Sequence, residues 1–250
     1  MRRYPPTRNV SFSFGPGRLT PAIKALIITN VVMFVVSMLF SGVIEFLGLK
    51  PYAFFYQLRI WQPVTYMFLH GTIGHILFNM LALWMFGTEL ERMWGTPAFV
   101  RYYFATGIAA AFTTILVSVL PFAFTARLFD VVTIGASGAI YGLLLAYGLT
   151  FPNRPIYIYF VFPIPAKYFV MIMGGISLLS AMGDTGGGIA HITHLGGLVA
   201  GYALLRGGRF TLSPASEVRY RYLRWKMDKA RKKFGVYSGG KRDDWDKRVH

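Results

Sequence analysis

The stretch TIGASGAIYGLLLAYGLT, residues Thr133–Thr150, decides the fold of this chain. It is apolar and long enough to cross a bilayer as a helix, which takes about 20 mostly apolar residues. Ser137 lies near its start, in the small-residue run Gly135-Ala136-Ser137-Gly138. A lone serine in an apolar helix usually packs against a neighbour or bonds back to a carbonyl oxygen. Its role therefore depends on what the other spans bring to the same depth.

The composition is that of a membrane protein with several spans. Of the 250 residues, 54% are hydrophobic and only 14% are charged, whereas about 25% are charged in a typical soluble domain. The formal net charge of +16 indicates basic cytoplasmic loops and tails rather than nucleic-acid binding. The chain has no cysteine, which excludes disulfides, thiol catalysis and thiolate metal sites.

Six apolar segments predict six transmembrane helices and therefore an all-α membrane protein. The predicted spans are Ala22–Phe40, Val64–Gly87, Ala98–Leu120, Thr133–Thr150, Tyr168–Met182 and Ile189–Leu205. The segment Thr88–Pro97 is predicted to be a turn, and Phe151–Lys167, with four prolines, a loop. Ser41–Gln62 is too polar to cross and unusually aromatic, which favours a position in the membrane interface.

The six spans form a core over residues 21–206, between two basic tails. Residues 1–20 are rich in Pro and Gly and are predicted to be a poorly ordered cytoplasmic tail. Residues 207–250 hold a predicted juxtamembrane helix with an apolar stripe that includes Tyr222 and Trp225. Among Arg and Lys, this pattern favours binding to anionic lipid headgroups; calmodulin-like and nucleic-acid binding are weaker alternatives.

The distribution of positive charge predicts the orientation. With six spans, both termini lie on one side of the membrane. Placing them in the cytoplasm puts 23 of the 26 Lys and Arg residues on that side, as the positive-inside rule requires. Spans two, four and six then run from outside to inside, so His70, His75, Ser137, His191 and His194 all lie in the outer half. Ionisable groups at that depth usually face the protein interior and mark functional sites.

Glycine spacing predicts which spans touch. Gly138 and Gly142 form a GxxxG motif on span four, and Gly197 and Gly201 form another on span six. Such faces let helix backbones approach closely. Packing them together would bring Ser137 near His194, a pair in which the imidazole activates the hydroxyl as a nucleophile. Neither span contains Asp or Glu, so a complete triad is not supported.

Two further residues share one face of span two. His75 and Asn79 are four positions apart, and together with the Ser137 backbone N–H they could stabilise a tetrahedral oxyanion. Tyr141, one turn after Ser137, could pack against the His194 ring.

Each signal has a structural alternative. The glycines could serve packing alone, and a His–Asn pair could join helices by hydrogen bonds. His191 and His194, with His70, could bind a metal, but no intramembrane carboxylate or cysteine completes that set. The coincidence of all these residues at one depth, beside matched glycine faces, favours catalysis.

These motifs resemble the rhomboid intramembrane serine proteases. The matching residues are Gly135-Ala136-Ser137-Gly138 with Tyr141, His194-Leu195-Gly196-Gly197 with Gly201, and His75-Ile76-Leu77-Phe78-Asn79 with His70. The resemblance covers about residues 20–206 and implies a six-transmembrane-helix rhomboid bundle of the prokaryotic form.

The resemblance also implies roles for the matching residues. Ser137 would be the nucleophile and His194 the base, with His75 and Asn79 in the oxyanion hole. Tyr141 would stack on the histidine, His70 would be structural, and Gly135, Gly138, Gly197 and Gly201 would support the site. Glu91 matches an acidic residue that follows span two.

Other segments match family features. Ser41–Gln62 matches the first loop, and span five with the turn Gly183–Gly188 matches the substrate gate and cap. One departure is visible: the family's first loop usually carries a Trp-Arg pair, whereas Trp61 is followed by Gln62. This departure puts the anchoring of the loop in doubt, not the chemistry.

The sequence thus predicts a serine endopeptidase of the bacterial inner membrane that cleaves transmembrane segments of other proteins near their outer ends. It would need no cofactor and no metal. A non-catalytic rhomboid-like chaperone or quality-control factor is the alternative, disfavoured because Ser137 and His194 are both present. A transporter that uses the histidines would require intramembrane carboxylates.

Overall fold

Helices make up most of the computed structural model, which describes residues 15–121, 128–158, 162–182, 188–207 and 229. In chain order the helices are α1 (Pro21–Leu39), α2 (Val43–Leu47), α3 (Pro51–Tyr56), α4 (Gln62–Thr65), α5 (Ile73–Ala82), α6 (Thr88–Trp94), α7 (Thr96–Ser118), α8 (Ser137–Thr150), α9 (Ala166–Met182) and α10 (Gly188–Arg206). A single 3-10 turn, Tyr66–Phe68, follows α4, and a π-helical turn, Leu83–Gly87, joins α5 to α6.

Within the described residues, three helical stretches are long and apolar enough to cross a membrane: Pro21–Leu39, Ile73–Trp94 and Thr96–Ser118. Two shorter helices are also apolar, Ser137–Thr150 and Ala166–Ala181. Together with α10 they follow the order of the six predicted spans, and the count of six spans stays a prediction.

The second span differs from its predicted bounds at both ends. A continuous helix begins at Ile73 rather than Val64, because Leu69 is extended and the Thr72 hydroxyl caps the helix by accepting from the His75 N–H at 3.1 Å. The predicted turn Thr88–Pro97 is wrong, since helix continues through the π-helical turn to Trp94. It ends at Gly95, whose φ of 78° suits glycine.

Helix α8, which corresponds to the fourth predicted span, begins four residues after the start of the apolar stretch at Thr133. Thr133 is extended and pairs with Leu49 in an antiparallel bridge, with N–H···O distances of 2.8 and 2.9 Å. The Gly135 N–H donates to the Tyr66 carbonyl oxygen at 2.9 Å. These two attachments keep residues 133–135 outside the helix, and Ser137 is the first residue of α8.

The predicted loop Phe151–Lys167 contains a β-hairpin that the sequence did not predict. Strand β1, Pro155–Ile158, pairs antiparallel with β2, Phe162–Pro165. A two-stranded sheet has only edge strands, where proline's missing N–H need not break a ladder. The Arg154 guanidinium, next to the hairpin, pairs with the Glu89 carboxylate of α6.

Glu91 joins the end of the second span to the start of the first. Its carboxylate is 2% exposed and accepts from the N–H groups of Ala22 and Ile23 at 3.0 and 3.2 Å. The hydroxyls of Thr20 and Thr96 also donate to it. It thus satisfies backbone donors that a helix N-terminus leaves free.

The tails lie mostly outside the described residues. The predicted basic tail 207–250 and its juxtamembrane helix fall there apart from Gly207 and Lys229, as do residues 1–14 and residues 183–187 of the predicted turn. Residues 15–20 are better fixed than predicted, since the Trp84 indole donates to the Gly17 carbonyl at 3.1 Å. The Arg92 guanidinium donates to the carbonyls of Pro16 and Arg18.

Gln62 anchors the predicted interfacial segment despite replacing the arginine expected there. Its side chain is 0% exposed. Oε1 accepts from the Lys50 N–H at 3.1 Å, and Nε2 donates to the Phe46 carbonyl at 3.3 Å. The Arg59 guanidinium adds a bond of 2.8 Å to the Glu45 carbonyl. A neutral amide therefore tethers the segment through its backbone.

We expect Gln62→Ala to lower the free energy of unfolding by about 1–3 kcal/mol, because it leaves the partly buried Lys50 N–H without its partner. The Phe46 carbonyl keeps the Trp61 indole as a donor. Thermal unfolding of the full chain in detergent, and the rate of proteolysis within residues 41–61, measure the effect. Gln57→Ala is the matched control, since Gln57 is exposed in the same segment. Equal behaviour of the two variants would contradict the anchoring role.

Candidate active site

The structure brings Ser137 and His194 together. Oγ of Ser137, at the start of α8, lies 2.8 Å from Nε2 of His194 on α10. This is hydrogen-bond distance between a hydroxyl and an imidazole nitrogen. Both groups are partly buried, and 57 residues separate them in the chain.

Direct contact of two helix backbones produces this distance. A Cβ added at Gly197 would lie 2.0 Å from the Gly138 carbonyl oxygen. One turn further along, a Cβ at Gly201 would lie 3.1 Å from Cα of Gly142. Only glycine fits at these points, so the glycines of α8 and α10 set how near Ser137 and His194 can come.

Helix α7 supports this pair of helices from the other side. A Cβ at Gly138 would meet Ala110 at 2.8 Å, and one at Gly142 would meet Thr106 at 2.7 Å. The Tyr102 hydroxyl donates to the Gly142 carbonyl at 2.9 Å. The seam between α8 and α10 is therefore part of a three-helix contact held by small residues and hydroxyl bonds.

Two rings surround the His194 imidazole. The Tyr141 ring stacks on it, with centroids 4.2 Å apart and planes 9° from parallel. The His191 ring meets it edge-on, with centroids 5.5 Å apart. Among the described residues, His194 Nδ1 has no hydrogen-bond partner.

Gly135 lies between His75 and the serine. Its φ is +122°, and an added Cβ would lie 2.7 Å from Nε2 of His75 and 3.7 Å from Oγ of Ser137. The imidazole and the hydroxyl therefore face one small space that a side chain at residue 135 would fill. Both the backbone conformation and the close approach require glycine here.

His70 and Asn79 lie beside His75, in different ways. His70 is 1% exposed, and its ring meets that of His75 edge-on at 4.8 Å. The Asn79 side-chain N–H donates to the His75 carbonyl at 2.8 Å, within α5 and not to Ser137. Asn79 Oδ1 is buried, with no partner among the described residues.

The alternative of a metal site has no ligand set in the described part of the chain. No group of three or more His, Asp or Glu side chains lies there in an arrangement that could hold an ion. The histidines instead form two edge-on pairs, His70 with His75 and His191 with His194.

Sequence reasoning missed Ser177 of α9. Its hydroxyl is fully buried and donates to the Tyr141 hydroxyl at 3.1 Å. The sequence alone gives no reason to choose it over Ser180, three residues later, because only the fold shows which serine faces Tyr141.

Comparison with known proteins decides the family. The sequence model of the Rhomboid domain family matches residues 57–208, more than half of the chain. The chain belongs to the rhomboid family. Rhomboids are helical membrane proteins, so this chain is an integral membrane protein with a helical bundle. The matched region contains Ser137, His194, His75 and Asn79.

Three relatives show how far the similarity extends. Rhomboid protease GluP of Bacillus subtilis is 33% identical over 157 residues, which are 62% of this chain and 27% of that protein. The mitochondrial Rhomboid protein 1 of Saccharomyces cerevisiae is 35% identical over 54% of this chain and 38% of its own length. Rhomboid protease GlpG of Yersinia pseudotuberculosis is 27% identical over 60% and 49%. The chain thus spans less than half the length of each of these rhomboids.

We expect Gly197→Ala to destabilise this rhomboid by about 1–3 kcal/mol, because the new methyl group would overlap the Gly138 carbonyl and push α8 and α10 apart. Gly175→Ala on α9 is the control, since its Cβ would meet nothing within 4 Å. That control should unfold at or above the wild-type temperature, given the higher helix propensity of Ala. Thermal unfolding in detergent separates the two, and equal midpoints would contradict the close contact.

Proposed function

We propose that this chain is an intramembrane serine endopeptidase, with Ser137 as nucleophile and His194 as base. It hydrolyses peptide bonds in or near the transmembrane segments of other membrane proteins. The observation that carries the proposal is the 2.8 Å between Ser137 Oγ and His194 Nε2. The relatives named rhomboid proteases support it, and the Rhomboid domain match, residues 57–208, includes both residues.

In the proposed reaction, His194 Nε2 takes the proton of Ser137 Oγ as that oxygen attacks the carbonyl carbon of the scissile bond. The imidazolium then gives this proton to the leaving amine, and an acyl-enzyme forms on Ser137. A water molecule, deprotonated by the same imidazole, then attacks the acyl carbon. The bond to Ser137 Oγ breaks, the imidazolium returns its proton to that oxygen, and the acid product leaves. No carboxylate is assigned, so the pair acts as a dyad.

The oxyanion would form beside Gly135. There, Nε2 of His75 and the backbone N–H of Ser137 can donate to it. Ser137 is the first residue of α8, so its N–H is one of the donors that the helix leaves free. We assign Asn79 to this hole as well; a change of side-chain rotamer would turn its amide from the His75 carbonyl.

The proposed site lies toward the outer leaflet. His75 is in the first turn of the helical stretch Ile73–Trp94, whereas Glu91 is near its other end. The charge distribution predicts that the Glu91 end and both termini lie in the cytoplasm. A substrate helix protects its carbonyl groups by hydrogen bonds, so it must unwind locally before attack. We expect no cofactor, and we expect the basic residues of 207–250 to bind anionic lipids.

We expect Ser137→Ala and His194→Ala to lower kcat/KM by a factor on the order of 10⁴ or more, because each removes one member of the dyad. The assay uses the purified full chain in detergent with a labelled transmembrane substrate. A fluorophosphonate probe should label wild type at Ser137 and should label neither variant. Ser180→Ala, which removes a hydroxyl from α9 without touching the dyad, should keep most of the activity.

Unchanged cleavage by either dyad variant would refute the assignment. If wild type neither cleaves nor takes up the probe, while it still binds membrane-protein clients, the non-catalytic chaperone becomes the better description.

We expect His75→Ala and Asn79→Ala each to lower kcat by about 10- to 1,000-fold with little change in KM, because an oxyanion donor acts mainly in the transition state. Steady-state kinetics on the same substrate measure both constants. A rise in KM at constant kcat would instead place these residues in substrate binding.

A further inference from the structure

Helix α9 carries a buried serine among mostly exposed large side chains. From Lys167 to Ala181, most large apolar side chains are exposed, among them Met171, Ile172 and Leu179. In that range Ser177 alone is buried, at 0% exposure. A buried hydroxyl in a membrane helix needs a hydrogen-bond partner. The hydrogen-bond partner of Ser177 therefore indicates the role of its hydroxyl.

That partner is Tyr141 of α8. The Ser177 hydroxyl donates to the Tyr141 hydroxyl oxygen at 3.1 Å. The same tyrosine ring lies flat against the His194 imidazole, 4.2 Å away and 9° from parallel. Two consecutive contacts thus connect α9 to the imidazole that meets Ser137.

The His194 ring has few other restraints. In a Ser-His-Asp triad, a carboxylate holds the imidazole in the productive orientation through its Nδ1. Here Nδ1 has no hydrogen-bond partner among the described residues, and neither α8 nor α10 contains Asp or Glu. Apart from its bond to Ser137, the ring is oriented by the flat face of Tyr141 and the edge of His191.

We propose that Ser177 is a positioning residue of the site: by fixing the Tyr141 phenol, it holds the His194 imidazole where Nε2 meets Ser137 Oγ. The hydrogen bond sets the tilt and height of the tyrosine ring, and the stacked imidazole follows. The proposal rests on the proposed serine-protease function. It also makes the reactivity of Ser137 depend on where α9 lies, because displacement of α9 would break the bond.

The test is a double-mutant cycle on the full chain in detergent. Ser177→Ala and Tyr141→Phe remove the same hydrogen bond from opposite sides, and Tyr141→Phe keeps the stacked ring. Each should slow fluorophosphonate labelling of Ser137, and lower kcat on a transmembrane substrate, by about three- to tenfold, the usual worth of one hydrogen bond. KM should stay within about twofold. The double variant should be no slower than the slower single variant, because one shared bond cannot be lost twice.

Ser180→Ala is the matched control, since it removes a hydroxyl from a half-buried position one turn away on the same helix. It should label at the wild-type rate. Thermal midpoints within a few degrees of wild type for all variants exclude general unfolding as the cause.

Two results would overturn the inference while leaving the proposed function intact: wild-type labelling rates in Ser177→Ala, or single effects that multiply in the double variant. Failure of wild type itself to react with the probe would refute the proposed function, and the inference with it.

Discussion

The contact between the Gly138 carbonyl and Gly197 is the constraint on which the site depends. Inside a bilayer no hydrophobic force draws helices together, so their separation is set by how small the facing residues are. With a Cβ at residue 197 only 2.0 Å from that oxygen, the two backbones are as near as they can be. Ser137 precedes Gly138 by one residue, and His194 precedes Gly197 by three. The 2.8 Å between hydroxyl and imidazole follows from this contact.

Some buried polar groups around that seam are satisfied inside the bundle. The Tyr66 hydroxyl donates to the Gly107 carbonyl at 2.7 Å, and Glu91 accepts four hydrogen bonds. Near Ser137, three buried atoms lack a protein partner among the described residues: Oδ1 of Asn79, and Nδ1 of His191 and of His194. Such groups can bond a substrate backbone or water, and peptide hydrolysis needs both.

The sequence predicts the order of the helices and the meeting of Ser137 with His194, because hydropathy, polar depth and glycine spacing are local signals. It does not predict backbone conformation within an apolar run. Thr133 is extended because Leu49, far away in the chain, pairs with it. Leu69 and Thr72 are extended and interrupt the helix within an apolar stretch for which hydropathy predicts one continuous span. The role of Ser177 depends on which face of α9 meets Tyr141, which only the packed structure shows.

The later start of α8 has a chemical consequence. If helix began at Thr133, the Ser137 N–H would bond to the carbonyl four residues earlier and could not serve an oxyanion. Because Thr133 pairs with Leu49 and the Gly135 N–H donates to the Tyr66 carbonyl, these residues lie outside the helix, and Ser137 is its first residue. Its N–H then belongs to the positive end of the helix dipole. Leu49 lies in the interfacial segment that Gln62 tethers through the neighbouring Lys50 N–H. The segment Ser41–Gln62 therefore helps to leave the Ser137 N–H free for the proposed chemistry.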